Sequence, residues 1–510
     1  MKACLGSIRP LIVAGFLTAC CFSESAQAAD QPQWGERHSR NMVSGEAGLP
    51  DTFEPNTGKN IRWSVSLGNN AYGSPVVAAG RVLIGANNVE RRDPRHRGDR
   101  GVLLCLNETD GSLCWQLVVP RIEGGDKYKD WPRISMCSPP TVDGERVYTV
   151  TNRFEVVCLD LNGQADGNDG PYRDEGRHMA PSDKPPMDVT EMDADIIWLL
   201  DMRSEVGIYP HDAAHSSILL DDSYLYLNTC NGVDNTHRKI RRPDAPSLIV
   251  VDKSTGRLLA QDGEQIGPRI FHSTWSSPAL GEVDGSRQIF FGGGDGVCYA
   301  FEALHQSAEF ESLQTLKRVW RFDCDPSAPK EEVHRYLENR HESPSNIKSM
   351  PVFFSNRVYV TVGGDIWWGK NKAWLKCIDA LQTGDITDSG ELWSYPLELH
   401  SCSTPSIWNG LVFVADCAGN VHCVDAETGQ LQWIHELGGE IWGSTLVADG
   451  KVYVGSRSGD LCILAAEKEK RLLGTVRFDA PVSSTPVAAN GVLYVATQER
   501  LYAIQKTESR

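Results

Sequence analysis

Histidine, cysteine, acidic and basic residues recur in this chain at spacings that suggest specific chemistry. His211-Asp-Ala-Ala-His215 has the spacing of a zinc-binding His-Glu-x-x-His. That motif needs a helix to bring both rings to one ion. Here the segment runs into a strand and carries Asp where the motif has its Glu base, so no zinc site is expected from this pair. Asp160, Asn162, Asp166, Asn168 and Asp169 space oxygen atoms somewhat as a calcium loop does. The regular ladder and the closing bidentate Glu are missing, and Asx turns are the competing reading. Cys417 and Cys423, like Cys105 and Cys114, flank tight turns at a distance that a disulfide spans in an oxidising compartment. Gly292–Gly296 is a hairpin turn rather than a phosphate loop, because no helix follows it. The chain has no Gly-x-Ser-x-Gly elbow and no Cys-x-x-Cys-His, and no nucleophile–base pair can be assigned.

The elements that must position these residues repeat. Eight stretches of a small residue, Ser/Thr-Pro or a close variant, a turn and an apolar run open near residues 73, 137, 216, 276, 349, 403, 444 and 484. Each is followed by a second hairpin such as VHCVDAETGQLQWIHEL, so one unit has four strands, A to D. Fixed-period repeats stack their units so that each buries its faces against its neighbours. The expectation is an all-β, eight-bladed propeller of four-stranded antiparallel blades. The last copy lacks a D strand, and an orphan D-like segment, Ile61–Leu67, precedes the first. This N-terminal strand should close the ring and remove both sheet edges. Six cysteines (Cys105, Cys158, Cys298, Cys377, Cys423 and Cys462) are then read as one repeated strand-C position, filled by a small apolar side chain.

Strand order puts the D–A and B–C loops on one face, and most long insertions fall there. Lengthening concentrated on one face marks a binding surface. The residues starting strand A should ring the channel mouth on that face: Tyr72, Met136, His215, Trp275, Lys348, Cys402, Gly443 and Ser483, with Trp442 beside them. Aromatic, His and Lys groups converging on a concavity suit a planar or sugar-like ligand. Two loops are basic: Glu90–Arg100, and His237–Arg242 with Arg238, Lys239, Arg241 and Arg242. They would attract anions locally on an acidic body. Ser327–Glu342 reads as a short surface helix with a Ser N-cap that exposes His334 and His341.

The repeats resemble the PQQ-like propeller repeat, with a consensus near YALDAxTGxxxW, over essentially Ile61 to Gln505. Quinoprotein alcohol dehydrogenases and the BamB-like assembly lipoproteins share that repeat. The resemblance implies two functions: a non-catalytic scaffold that binds a protein or glycan on the loop-rich face, or an oxidoreductase using PQQ and calcium in the channel. The dehydrogenase pattern fails at the adjacent cysteine pair that caps the quinone, which is missing after residue 28.

Residues 1–28 carry Lys2 and Arg9, an apolar stretch and Ala26-Gln27-Ala28, the pattern of a secretory leader. An alternative cut after Ala19 would lipidate Cys20 and anchor an otherwise unanchored chain, since no later segment is apolar enough to cross a bilayer. Losing Lys2, Arg9 and Glu24 takes the formal charge from −17 to −18. That acidity argues against nucleic acid as a partner. The expected organisation is a leader (1–28), an extension (29–60), a propeller (61–507) and a short tail (508–510), exported to the periplasm or cell envelope.

Overall fold

The computed structural model describes residues 29–122, 131–305 and 310–506. The leader, Cys20 and the tail lie outside the described residues. Eight four-stranded antiparallel blades make up the ring, three of them extended by a short parallel strand, and their A strands begin at Val76, Thr141, Leu219, Ala279, Val352, Ser406, Leu446 and Val487. Along Leu431–Glu436, Trp433 is buried and the next residue, Ile434, is exposed, as the pleat requires, while Leu431 is exposed because a bulge shifts the register between it and Trp433. Ile61–Ser66 pairs antiparallel with Arg500–Ile504, so the first strand of the ring completes the last blade. Among the described residues no helix is long and apolar enough to cross a membrane.

Neighbouring blades are joined by a recurring tryptophan. The indole N–H of Trp63, Trp115, Trp198, Trp393 and Trp433 donates to a carbonyl just past strand C of the next blade, at Glu108, Leu161, Lys253, Ala426 and Glu467. The bond satisfies the one polar group of a buried aromatic. It also accounts for a glycine in the adjoining turn: at Gly429, where φ is +69°, a Cβ would stand 2.6 Å from the Trp393 ring.

The cysteine repeat is narrower than the sequence suggests. Cys105, Cys158, Cys377 and Cys423 do share one position, each paired across the ladder with Trp115, Trp198, Trp393 or Trp433. Cys298 faces Phe322, two residues ahead of the equivalent Ala300, and Cys462 faces Thr475, one ahead of Ile463. The β-bulge that follows each equivalent residue defines the register, and a run of apolar letters does not reveal it. All six are buried between blades.

The extension is part of the ring. It crosses the channel at the end remote from the mouth and bonds to all eight blades in turn. Gln31 pairs with Val77, Pro32 O accepts from Val142 N, and His38 O and Ser39 O accept from Leu280 N and Phe353 N. Asn41 brackets Ile407, Val43–Ser44 run parallel to Val447–Ala448, and Glu46 accepts from Asn490 and Gly491. Arg40 reaches blades 3 and 4: fully buried, its guanidinium donates to Pro278 O, Trp34 O, Ser217 O and Ser217 Oγ at 2.9–3.2 Å. The channel therefore has a floor, and the mouth is a cup.

The helix expected over Ser327–Glu342 is absent. Only Val333–Tyr336 form a 3-10 turn, entered through Glu332 at φ +45°. Arg340 pins the segment by donating to carbonyls of Ile366 and Gly369 on the neighbouring loop. His341 is exposed, whereas His334 is half-buried with its ring stacked on Phe271.

Candidate functional site

The residues that start the A strands converge as the channel geometry requires. Tyr72, His215, Trp275, Lys348, Cys402 and Trp442 line one cavity of about 200 Å³ at the mouth, with Gly443 and Ser483. Met136 turns into the core between blades 1 and 2, and Cys137 takes its place in the wall. Three tryptophans that the sequence reading passed over complete the cup. Trp34 rises from the extension as part of its floor, while Trp131 and Trp367 come from long loops. Trp367 is central: its ring meets those of Trp131, Trp275 and Trp442 edge-on at 6.2, 5.7 and 5.9 Å. Tyr72 stacks on Trp442 at 5.9 Å, and the Arg457 guanidinium covers the Trp442 ring at 3.9 Å. The Trp367-Trp368 doublet in a long B–C loop was the available signal.

Behind the cup, one buried carboxylate organises three blades. Asp365 Oδ1 accepts the amides of Trp367 and Trp368 at 3.0 Å, which fixes the turn that presents both indoles. Its Oδ2 accepts from His272 Nδ1 at 3.1 Å and Asn346 Nδ2 at 3.3 Å, and lies 3.6 Å from Lys348 Nζ. Burial pushes this carboxyl upward, but His272 and Lys348 outweigh it and hold it well below the usual range. Lys348, itself buried, bonds Asn346 Oδ1 and sits 4.9 Å above the Trp275 ring.

A second pocket of about 380 Å³ shares the Trp131–Asp212–Trp367 wall with the cup. It holds three histidines from different loops. His211 is 4.7 Å from both His237 and His272, ring centre to ring centre, and the last two are 5.2 Å apart. Asp212 stands 3.6 Å from His211 Nε2 and 3.8 Å from His272 Nε2. Burial lowers the His211 pKa to about 4 and also lowers that of His237. His215 faces elsewhere: its ring nitrogens meet the carbonyls of Ala213 and Thr274. The His-x-x-x-His pair is therefore not one site, and His211 finds its partners in blades 3 and 4 instead.

The other sequence candidates scatter. Arg238, Lys239 and Arg242 are exposed on the loop that follows His237, while Arg241 pairs with Asp234 at 3.2 Å over the Tyr209 ring. The other basic loop folds inward: Arg95 pairs with Asp93 and Asp193, and Arg100 is buried. In the 160–169 loop, Asp160 bonds Arg146 and the Asn162 amide. Asn162 donates to Asp166, and the Asp169 amide donates to Asp195. Asp160 and Asp166 thus accept bonds within the turn, and Asp160 also pairs with Arg146. All twelve cysteines of the described residues are free thiols. The structure places Cys417 beside Cys402, not Cys423, whose side chain lies between blades 6 and 7. Cys105 does lie against Cys114.

A family model described as outer membrane protein assembly factor BamB matches residues 417–510. No curated protein matches the chain in sequence. Solved structures similar to it include BamB from Moraxella catarrhalis, at 12% identity and TM-score 0.51, covering 88% of this chain and 97% of that one. A quinohemoprotein alcohol dehydrogenase from Comamonas testosteroni is similar at 12% identity and TM-score 0.54, covering 96% and 82%. A europium-containing methanol dehydrogenase is similar at 10% identity and TM-score 0.55, covering 92% and 89%. At such identities the likeness is one of fold: an eight-bladed propeller of PQQ-like repeats, similar to both groups.

Proposed function

We propose that this propeller is an exported, non-catalytic binding protein of the cell envelope, and that its cup receives a glycan or, on the same rim, a protein partner. The observation that carries the reading is the cup itself: five aromatic rings around a floored cavity whose lining includes the buried Lys348. Indole faces stack on the apolar faces of sugar rings, and sparse polar groups orient them. The leader-like residues 1–28 support export, with lipidation of Cys20 the variant outcome. Mass spectrometry of the mature N-terminus separates the two.

The residues present do not fit PQQ with calcium. Calcium takes six to eight oxygen ligands, yet the described cup wall contributes a single carboxylate, Asp212. The nearby Asp365 is already committed to His272, Asn346 and two backbone amides. Among the described residues no adjacent cysteine pair faces the cavity either.

Titration with neutral and sulfated oligosaccharides tests the proposal. Trp367→Ala should abolish binding, and Arg238→Ala, Arg241→Ala and Arg242→Ala together should weaken the sulfated series alone. Stoichiometric uptake of PQQ with calcium, accompanied by dye-linked alcohol oxidation, would overturn it.

A further inference from the structure

We propose that His211, His237 and His272 form a binding site for one divalent transition-metal ion at the edge of the cup. The inference goes beyond the glycan reading and does not depend on it.

One nitrogen from each ring lies within 4.8 Å of the other two. Tetrahedral ligands ~2.1 Å from zinc stand ~3.4 Å apart, and rotation of the half-buried His237 side chain closes the difference. The rings arrive from three separate segments: the D–A loop before blade 3, the B–C loop of blade 3 and the D–A loop before blade 4. An isolated bridge between Gly232 and Ser273 and another between Pro210 and Asn231 tie these segments together beside the histidines. The site therefore rests on paired backbone.

His272 carries the strongest signal. Its Nδ1 is bonded to Asp365, which turns the other ring nitrogen, Nε2, toward Asp212 and the cluster. That atom is buried and makes no hydrogen bond. A buried polar atom without a partner is costly unless something occupies the space before it. A carboxylate on the far nitrogen is also what fixes the tautomer and raises the basicity of a metal-bound histidine. Asp212 adds negative charge at 3.6–3.8 Å from two of the rings. Three imidazole nitrogens favour zinc, copper or nickel over calcium or magnesium.

In the other cluster of this kind, Asp93, His96 and Asp193, Arg95 already pairs with both carboxylates, at 2.5 and 3.0 Å.

The test is equilibrium dialysis of chelator-treated full chain against Zn2+, with Cu2+ and Ni2+ in parallel and metal counted by mass spectrometry. One equivalent per chain is expected. His237→Ala and His272→Ala should each weaken binding at least 100-fold, and Asp365→Asn ~10–100-fold. His341→Ala, an exposed site elsewhere, should bind as wild type does. Because His237 is half-exposed, its variant should fold even where His272→Ala does not. The absorption bands of bound Co2+ give a second reading of a nitrogen-rich tetrahedral site. Wild-type protein that takes up none of the three ions stoichiometrically, or a His237→Ala variant with undiminished affinity, overturns the proposal.

Discussion

Replacing Arg40 with Met tests whether the extension is a structural member of the ring. The guanidinium makes four hydrogen bonds, at 2.9 Å to Pro278 O, 3.0 Å to Trp34 O, 3.0 Å to Ser217 O and 3.2 Å to Ser217 Oγ. Charge-assisted bonds contribute ~1.5–3 kcal/mol each, so the gross loss is ~6–12 kcal/mol. Removing a buried ion also recovers several kcal/mol of desolvation, and Met fills much of the same volume. The net destabilisation should be about 4 kcal/mol. Unfolding entropy near ~2.1 cal/mol/K per residue gives ~1 kcal/mol/K for the ring, so Tm should fall by about 4 °C. Arg40→Lys keeps the charge but not the planar fork, and should fall between wild type and Met. Scanning calorimetry at neutral pH measures all three. A Met variant within 1 °C of wild type would refute the argument, because it would mean that the extension lies against the ring without bracing it.

Gly429→Ala forces a Cβ against Trp393 at positive φ and should cost about 2–4 kcal/mol, read as a lowered denaturation midpoint. Glu155 is buried with His178 at 2.9 Å and beside Arg153. Burial raises its pKa, but His178 and Arg153 outweigh burial and hold it below the usual range. Its folded pKa being depressed, its stabilisation is full above pH ~4.5 and is lost as pH falls through the folded value. Glu155→Gln should therefore destabilise the protein by ~3 kcal/mol at pH 7 and flatten the acid limb of the stability curve. The Cys105 thiol lowers the Cys114 pKa to about 6. Alkylation of Cys114 should accordingly have its midpoint near pH 6, moving toward the ordinary thiol range in Cys105→Ala.

The architecture was legible because it is written eight times over. Each blade repeats the same small-residue turn, the same alternation and, in five blades, the same docking tryptophan, so an irregularity in one copy is corrected by the others. The ring positions Tyr72, His215, Trp275, Lys348 and Trp442 inherit that legibility, since their place follows from strand order alone. Trp34, Trp367 and the histidine cluster do not repeat. The extension bears no blade pattern, and its pairing with A strands is visible only once the ring is closed. His211, His237 and His272 are 26 and 35 residues apart in sequence, with no spacing that a local element would impose. The one local spacing present, from His211 to His215, marks no site, because the His215 ring nitrogens meet the carbonyls of Ala213 and Thr274 instead.

That contrast has a physical cause. An eight-bladed ring built from short hairpins would present near-equivalent residues around its mouth, and a site with one centre cannot be assembled from equivalent positions. Specific chemistry requires the symmetry to be broken. Here it is broken twice: the extension seals one end of the channel, and the long loops of blades 3 to 5 lean over the other. Asp365 joins the two consequences, since one oxygen holds the turn that aims Trp367 into the cup and the other orients His272 into the cluster. Asp365→Asn separates them. Its amide can keep Oδ1 on the Trp367 and Trp368 amides while losing the charge that fixes His272. Stacking of a sugar in the cup should then survive within a few-fold, while zinc affinity falls ~10–100-fold. Measuring both on one variant decides whether the two pockets share a residue or share a function. Equal loss of both would mean that the carboxylate only holds the loop in place.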